Sequence, residues 1–268
     1  MTDQYAVIGN PIAHSKSPLI HEAFARQTQQ NISYERILAP LDGFVATVQD
    51  LIAKGYKGVN VTVPFKFEAY TLADKRSSRA LSAGAANTLI FEGLHITADN
   101  TDGAGLVHDI EQNLNCPLAA KRILLLGAGG AAEGVLQPVL ATNPASLVIA
   151  NRSADKALAM AAKVGAVNVK GCALNDLQGQ QFDVVINATS AGLTDTALPI
   201  PDSVFAEGCL AYDMMYGRET PFMAQARANG ACVADGLGML VEQAAEAFCL
   251  WRGVRPETRS VIDMIRAL

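Results

Sequence analysis

Apolar stretches alternate with helical patterns along the chain, which is typical of βαβ units and a mainly parallel sheet. In the first part of the chain, the pattern predicts strands over 5–9 and 57–64 and helices over 17–29 and near 65–73. The segment 98–114 then leads from a loop into another helix. This alternation predicts the α/β class for the N-terminal part of the protein.

A second α/β series begins with 121–127, a buried strand that opens into a glycine turn and a helix. Ser153 is expected to cap a helix over 154–165, which Gly165 ends, and a last helix is predicted over 238–253. Further strands are predicted at 146–153, 182–190, 209–215 and 231–236. The 268 residues exceed the usual domain of about 100–150 and suit two lobes or one large α/β unit. Two α/β lobes that join near 101–103 fit the pattern best.

Composition excludes several classes of protein. Half of the residues are hydrophobic, and 21 Lys and Arg against 26 Asp and Glu give a net charge of −5, so neither a disordered chain nor a nucleic-acid-binding surface is expected. The five cysteines are odd in number and form no C-x-x-C pair, which favours free thiols in a reducing compartment. The histidines show no metal-binding spacing, and no signal peptide or membrane span is evident. We expect a soluble, cytoplasmic protein without a metal or a membrane partner.

The glycine turn is the first motif that carries chemistry. It lies between a predicted strand and a predicted helix, where glycines let backbone N–H groups approach a pyrophosphate at the helix N-terminus. A glycine-rich turn can also be merely a tight connection, but its context favours a dinucleotide. The turn reads Gly127-Ala128-Gly129-Gly130-Ala131-Ala132, with alanine at the third glycine position of the fingerprint.

The end of the next strand indicates which dinucleotide binds. An NAD site usually carries an acidic residue there for the ribose 2′-OH, whereas this chain has Asn151, Arg152 and Ser153, with Lys156 one turn later. Cations, an amide and a hydroxyl can bind a 2′-phosphate that a carboxylate would repel. The ordinary alternative is a solvated arginine beside a helix cap, and both readings can hold together. NADP is therefore favoured over NAD.

The first lobe has polar side chains at predicted strand ends. Asn60 and Thr62 share one face of a strand that Pro64 ends, and Lys66 follows in the turn. Ser15 and Ser17 follow the first strand and offer two more hydroxyls. Each has an ordinary role too, since Ser17 is a natural N-cap. Their convergence on strand ends, where α/β sheets bind ligands, favours a polyhydroxylated ligand.

Asp102 lies just before a predicted helix, where its simplest role is to complement the helix dipole. Its alternative role needs a partner, and Lys66 is the obvious one. A lysine beside a carboxylate can exchange a proton with a substrate hydroxyl while the carboxylate orients both groups.

Together these motifs resemble one family closely, the shikimate dehydrogenases. SKS, NVTVPFK, NTDG and GMLVEQ in that order are very specific. The resemblance covers almost the whole chain and rests on GNPIAHSKSPLIHEAF, GVNVTVPFK, GAANTL, DNTDGAGL, LLGAGGAA, NRS, INATSAG, YDMMYG with TPF after it, and DGLGMLVEQAAEAF.

The resemblance implies NADPH-dependent, reversible reduction of 3-dehydroshikimate to shikimate, a step toward chorismate and the aromatic amino acids. It implies that Lys66 is the acid/base and that Asp102 pairs with it. The substrate would be surrounded by Ser15, Ser17, Asn60, Thr62, Lys66, Asn87, Asp102, Tyr216 and Gln243. The cofactor would be bound by Gly127, Ala128, Gly129, Gly130, Ala131, Asn151, Arg152, Ser153, Lys156, Thr189, Met214 and Gly236.

The same resemblance implies two domains with different ligands. Residues 1–101 and 238–268 would form an α/β substrate domain, to which the C-terminal helix returns. Residues 102–237 would form a Rossmann-type, doubly wound NADP-binding domain. Two departures from the family are mild, since Ser153 stands where many members have threonine and Lys156 where arginine is common.

Two other functions stay open at this point. One is a shikimate/quinate dehydrogenase with relaxed or NAD cofactor use, although its cofactor loop would be expected to carry an acidic residue beside Arg152. The other is a catalytically silent sensor on the same fold, which the presence of both Lys66 and Asp102 disfavours. The expected oligomeric state is a monomer or a homodimer, because nothing in the sequence selects between them.

Overall fold

The computed structural model describes residues 2–191 and 196–268. The chain forms two compact units: unit 1 comprises Met1–Gly105 and Leu240–Leu268, and unit 2 comprises Leu106–Met239. The domain boundaries expected from the sequence, between 101 and 102 and between 237 and 238, lie close to these divisions.

Unit 1 is built on a sheet covered by helices. Its sheet has the order β2-β1-β3-β5-β6-β4. Strands and helices up to the end of this sheet are β1 (Asp3–Gly9), α1 (Ser17–Thr28), β2 (Ile32–Leu38), α2 (Phe44–Ala53), β3 (Gly58–Val61), α3 (Lys66–Leu72), β4 (Lys75–Arg76), α4 (Ser78–Ala83), β5 (Thr88–Glu92) and β6 (His95–Asp99).

The sheet of unit 1 is mainly parallel, as expected, and its strand β5 is the exception. β1 is parallel to β2 and β3, but β5 is antiparallel to both β3 and β6. The cause is a hairpin that the sequence pattern did not reveal, in which Gly93 turns the chain with φ of +64°. Because β5 runs against β3, the start of β5 lies beside the end of β3.

Two local details also differ from the sequence-based expectation. Helix α1 begins at Ser17 itself, with Lys16 as the N-cap residue, so Ser17 is not the cap. Strand β3 ends at Val61 rather than at Pro64, because the carbonyl of Thr62 already accepts a turn hydrogen bond from the N–H of Phe65.

The chain enters unit 2 through α5 (Asp102–His108), which continues as a π-helical turn over Asp109–Asn113. The sheet of unit 2 has the order β12-β11-β10-β7-β8-β9, and its described ladders are all parallel. Its elements are β7 (Arg122–Leu126), α6 (Gly130–Ala141), β8 (Ser146–Asn151), α7 (Ala154–Val164), β9 (Val169–Ala173), β10 (Phe182–Asn187), β11 (Phe205–Asp213), α8 (Pro221–Ala228) and β12 (Cys232–Ala234), with 3₁₀ turns at Leu174–Leu177 and Asp202–Val204.

This strand order confirms the Rossmann-type, doubly wound fold expected for the second lobe. The central strand β7 is buried on both faces: Ile123 and Leu125 pack into one apolar cluster, and Leu124 and Leu126 into another. Residue alternation along a strand produces this arrangement, and it explains why the strand reads as a continuous apolar run. Gly165 ends α7 in the left-handed conformation, as the sequence predicts.

The chain returns to unit 1 along α9 (Leu237–Arg252) and ends in α10 (Arg259–Arg266). Trp251 fixes α9 to the sheet, since its indole N–H donates to the carbonyl of Leu89 at 3.1 Å and its ring stacks on Tyr5. Gly58 makes room for that indole, because a Cβ there would lie 2.4 Å from the Trp251 Nε1 atom. The C-terminal helices therefore belong to the first lobe, as expected.

Candidate active site

The polar side chains of unit 1 converge because of the strand directions. In the sheet, Asn60 of β3 pairs with Thr88 of β5, which pairs with Asp99 of β6. The end of β3, the start of β5 and the end of β6 therefore lie side by side at one edge. This edge places Lys66, Asn87 and Asp102 together, although they are far apart in sequence.

Lys66 and Asp102 form the centre of this cluster. The ammonium Nζ of Lys66 lies 2.5 Å from Oδ2 of Asp102, and the two side chains are 29% and 17% exposed. Such partial burial keeps the pair less screened than a surface ion pair while leaving it within reach of a ligand. The pair anticipated from the sequence is thus present as a direct contact.

Asn87 binds the other oxygen of the same carboxylate. Its amide Nδ2 donates to Oδ1 of Asp102 at 2.8 Å and lies 3.2 Å from Oε1 of Gln243. Its amide oxygen accepts from the backbone N–H of Thr101 at 2.9 Å. Asn87 is 3% exposed, so its amide is held by protein groups on both sides.

Gln243 reaches this cluster because α9 packs closely on α5. A Cβ at Gly105 of α5 would lie 2.6 Å from the backbone nitrogen of Gln243, so only glycine permits this approach. The Gln243 amide also donates to the carbonyl of Leu240 at 2.8 Å, which fixes its orientation.

Asn60 is a buried member of the cluster. Its oxygen accepts from the hydroxyl of Tyr34 at 2.7 Å, and its Nδ2 donates to Oγ1 of Thr88 at 3.1 Å. The Tyr34 hydroxyl also interacts with Ser17, and burial raises the pKa of this phenol well above its usual range. Tyr34 thus connects the start of α1 with the end of β3.

The two predicted serines follow β1, with Ser15 in the loop and Ser17 at the start of α1. The hydroxyl of Ser15 donates to that of Ser17 at 3.2 Å, and the guanidinium of Arg36 donates twice to the carbonyl of Ser15, at 2.9 and 2.6 Å. Thr62 joins the same edge through its backbone N–H, which donates to the carbonyl of Ile8.

Sequence reasoning missed Tyr34 and Arg36 because strand β2 was not recognised. Its sequence, ISYERIL, begins with the apolar–polar alternation of a half-buried strand, and this signal could have found it.

In unit 2, the predicted cofactor residues lie at the carboxyl edge of the parallel sheet. The glycine turn follows β7, and the Asn151–Ser153 segment begins at the end of β8. Thr189, Met214 and Gly236 follow β10, β11 and β12, respectively. Open α/β sheets bind ligands at this edge. Tyr216 also belongs to unit 2, is 38% exposed, and takes no part in the unit 1 cluster described above.

The glycine turn has the form that a pyrophosphate requires. Gly127 adopts φ of +107°, and a Cβ there would lie 3.1 Å from the carbonyl oxygen of Ala188. At Gly129, the N-cap of α6, an added Cβ would meet no described atom within 4 Å, so the backbone is open to a ligand. The N–H groups at the start of α6 can therefore bind phosphate oxygens.

The end of β8 fits an adenosine 2′-phosphate. Arg152 is exposed, and Asn151 donates through its amide to the carbonyl of Ser153 at 3.1 Å. Ser153 occupies the N-cap position of α7 as predicted, but its side chain makes no capping hydrogen bond, so its hydroxyl is not consumed there. Lys156 lies in the first turn of the same helix.

A buried polar network that the sequence did not reveal shapes the neighbouring loops. The side chain of Asp213 accepts from Asn187 at 3.1 Å and from the hydroxyl of Thr220 at 2.5 Å, and it also binds the N–H of Met215. The oxygen of Asn187 accepts from the hydroxyl and the N–H of Thr189. The network therefore fixes the loops that carry two predicted cofactor residues, Thr189 and Met214.

The described residues also allow an examination of thiols, membrane-spanning helices and metal-binding groups. The five cysteines all lie in described segments and carry free thiols. Among the residues with described structure, no helix combines the length and apolar character needed to cross a membrane. Within the same residues, no grouping of three or more His, Cys, Asp or Glu side chains suits a metal ion.

Family models match three segments of the chain. The model described as "Shikimate dehydrogenase substrate binding domain" matches residues 7–89. The model described as "Shikimate / quinate 5-dehydrogenase" matches residues 109–194, and "Shikimate 5'-dehydrogenase C-terminal domain" matches residues 236–263. Together the matches include residues from both units.

Curated relatives and solved structures agree with these matches. Proteins named shikimate dehydrogenase (NADP(+)) from Methylobacillus flagellatus and Dechloromonas aromatica are 63% and 60% identical, over 99% and 100% of this chain and 99% and 98% of their own lengths. The structure of shikimate 5-dehydrogenase from Thermus thermophilus in complex with NADP(H) and shikimate is similar with a TM-score of 0.89 and 30% identity, covering 99% of both chains. An Ael1 enzyme from Pseudomonas putida gives a TM-score of 0.96 with 52% identity and covers 98% of both chains.

Proposed function

This chain belongs to the shikimate dehydrogenase family, and on that premise we propose that it catalyses the reversible, NADP(H)-dependent reduction of 3-dehydroshikimate to shikimate. The reaction is a step toward chorismate and the aromatic amino acids. The observation that carries the proposal is the direct contact between Lys66 and Asp102 at the ligand-binding edge of unit 1. This contact supports an acid/base role for Lys66 at the position where a polyhydroxylated substrate is expected.

Lys66 acts as the acid/base in this proposal. In the reducing direction its ammonium donates a proton to the carbonyl oxygen of the substrate, and in the oxidising direction the neutral amine accepts the proton of the same hydroxyl. Asp102 holds the Lys66 side chain in place through Oδ2, while Asn87 binds Oδ1. The carboxylate thereby orients the lysine and stabilises its positive charge.

The remaining unit 1 residues bind the substrate. Ser15 and Ser17 offer hydroxyls to its carboxylate, which is then held by hydrogen bonds rather than by a full charge. A site built on such bonds rejects analogues that lack the matching hydroxyl. The ring hydroxyls are recognised by the set Asn60, Thr62, Asn87 and Gln243, and we assign Tyr216 to the substrate as well.

The cofactor site lies on unit 2. When bound, NADPH supplies the hydride that reduces the substrate carbonyl carbon. The turn Gly127, Ala128, Gly129, Gly130 and Ala131 binds the pyrophosphate through its backbone. The 2′-phosphate is held by Asn151, Arg152, Ser153 and Lys156, and the loops with Thr189, Met214 and Gly236 line the rest of the cofactor. Support for NADP over NAD comes from the absence of an acidic side chain among the described residues 151–154 at the end of β8.

We place the protein in the cytoplasm, because all five of its thiols, which lie in described segments, are free, as is usual in a reducing compartment. The partners in this proposal are small molecules, with neither nucleic acid nor membrane involved. A monomer and a homodimer both remain compatible with the sequence.

One assay tests the proposed function. The purified protein is mixed with shikimate or quinate and with NADP⁺ or NAD⁺, and absorbance at 340 nm is followed. We expect the pair of shikimate and NADP⁺ to give the highest kcat/KM. A higher kcat/KM with quinate or NAD⁺ would support the relaxed dehydrogenase instead, and ligand binding without any turnover would support a silent sensor.

A further inference from the structure

A continuous chain of hydrogen bonds runs from Tyr34 to the catalytic pair. The phenol of Tyr34 donates to Asn60 at 2.7 Å, and the amide of Asn60 donates to Oγ1 of Thr88 at 3.1 Å. The hydroxyl of Thr88 then donates to the amide oxygen of Asn87 at 2.9 Å, and Asn87 donates to Asp102 at 2.8 Å. Every donor in the chain points toward the carboxylate that binds Lys66.

Thr88 is the central link of this chain. It is fully buried at the start of β5, between β3 and β6 in the sheet, and it belongs to none of the expected substrate or cofactor contacts. Its hydroxyl accepts from Asn60 and therefore has its own proton left to donate to Asn87. Hydrogen bonds aligned in this way polarise one another, which strengthens the last bond to the carboxylate.

We propose that Thr88 is a positioning residue for the catalytic pair, a role that rests on the proposed function. An amide has two ends, and Asn87 can serve Asp102 only if its oxygen faces away and its nitrogen faces the carboxylate. The Thr88 hydroxyl and the N–H of Thr101 both donate to that oxygen, and so fix the amide in this orientation. With Asn87 fixed, the Asp102 carboxylate presents Oδ2 to Lys66.

Asn60 is a further link in the same chain of hydrogen bonds. Its oxygen and its nitrogen are both engaged within the protein, so it transmits the orientation set by Tyr34 to Thr88. The chain thereby connects Ser17 at the start of α1, which also interacts with Tyr34, to the proton-transferring lysine. One buried network of hydrogen bonds thus joins residues expected to bind the substrate to the residues that position the acid/base group.

Replacement of the Thr88 hydroxyl by a methyl group tests the proposal. In Thr88→Val, kcat for shikimate oxidation with NADP⁺ is expected to fall about 10- to 100-fold, because a small misplacement of catalytic groups has effects of this size. The KM for NADP⁺ is expected to change less than about 2-fold, since unit 2 is untouched. Thr88→Ser keeps the hydroxyl, and its kcat is expected within about 3-fold of the wild type.

Two further variants separate positioning from general loss of structure. Thr47→Val removes a threonine hydroxyl of α2 that donates to the carbonyl of Gly43, the N-cap residue of the same helix, and its kcat is expected to match the wild type. In the Lys66→Ala background, Thr88→Val is expected to lower the residual rate by less than about 2-fold, because it acts through the lysine. If Thr88→Val does not fold, Tyr34→Phe replaces it, and a loss of kcat of at least about 3-fold is expected.

The outcomes distinguish this proposal from the function on which it rests. A wild-type protein that does not oxidise shikimate overturns the proposed function, and this inference with it. An active wild type, together with a Thr88→Val variant that keeps its kcat, overturns the positioning role alone. The role is also overturned if Thr88→Val lowers the rate equally with and without Lys66, or if a Tyr34→Phe used as its substitute keeps full kcat.

Discussion

The ammonium of Lys66 lies 2.5 Å from the carboxylate of Asp102, across 36 residues of sequence. The contact exists because α3 starts beside the end of β3 and α5 starts just after β6, at the same edge of the sheet. The sequence at the start of either helix does not by itself indicate that Lys66 and Asp102 pair. The order of the strands in the sheet thus brings the two charged side chains into contact.

Removal of the Lys66 side chain is expected to abolish most proton transfer. In Lys66→Ala, kcat should fall about 10²- to 10⁴-fold with shikimate binding largely retained, because general acid/base catalysis contributes factors of this size. Rates at 340 nm and shikimate binding by calorimetry measure the two effects. Lys54→Ala is the matched control, since Lys54 pairs with Asp50 on the surface of α2. A Lys66→Ala variant with near-normal kcat would exclude this lysine as the acid/base.

Arg152 is expected to set the preference for NADP. In Arg152→Ala, the KM for NADPH should rise about 10- to 100-fold, the cost of a lost hydrogen bond to a charged group, with little change in the KM for NADH. Lys170→Ala serves as the control, because it removes an exposed cation from β9 of the same unit. Equal effects on the two cofactors would contradict the assignment of Arg152 to the 2′-phosphate.

A substitution at Gly129 is expected to weaken cofactor binding without changing the stability of the fold. A methyl group at this position meets no described atom within 4 Å, so Gly129→Ala should leave the Tm of the protein nearly unchanged. The same methyl group would stand between the turn and the pyrophosphate, and the KM for NADPH should rise about 10- to 100-fold. Thermal unfolding and steady-state kinetics test both parts. An unchanged KM would show that the pyrophosphate does not approach this turn.

The buried imidazole of His21 is expected to make the unfolding free energy of unit 1 depend on pH. Burial lowers its pKa from 6.5 to about 3, so the folded protein holds it neutral while the unfolded chain protonates it below pH 6.5. The loss of unfolding free energy that His21 causes is therefore absent above pH 6.5 and grows as the pH falls toward 3. Between pH 7.5 and 5, the wild type should lose about 2 kcal/mol more unfolding free energy than His21→Phe.

The fluorescence of Trp251 provides the probe for this measurement. It is the one tryptophan of the sequence and its ring centroid lies 5.5 Å from that of His21, so urea unfolding followed by its emission reports unit 1. Phenylalanine keeps a flat ring against Tyr34, on which His21 stacks at 4.1 Å. Parallel pH dependences in the two proteins would show that His21 is not buried neutral.

The sequence alone determined the family, the Rossmann-type lobe and most of its strands. The apolar run of β7 and the glycine turn after it form a local pattern that needs no tertiary information, because a buried parallel strand must be apolar throughout. The residues after β8 likewise indicated NADP through their charge. Such features can be predicted from the sequence because each one lies within a few consecutive residues.

The tertiary structure decided which polar groups act together. No local pattern in the sequence singles out Thr88, yet the antiparallel course of β5 places it between Asn60 and Asn87. Tyr34 lies on the unrecognised strand β2, and Gln243 arrives on a helix that begins in the other unit. Hydrogen bonds between distant residues depend on strand direction and register, which a local pattern of apolar and polar positions does not contain. The sequence therefore supplied the polar side chains, and the packing of the sheet determined which of them contact one another.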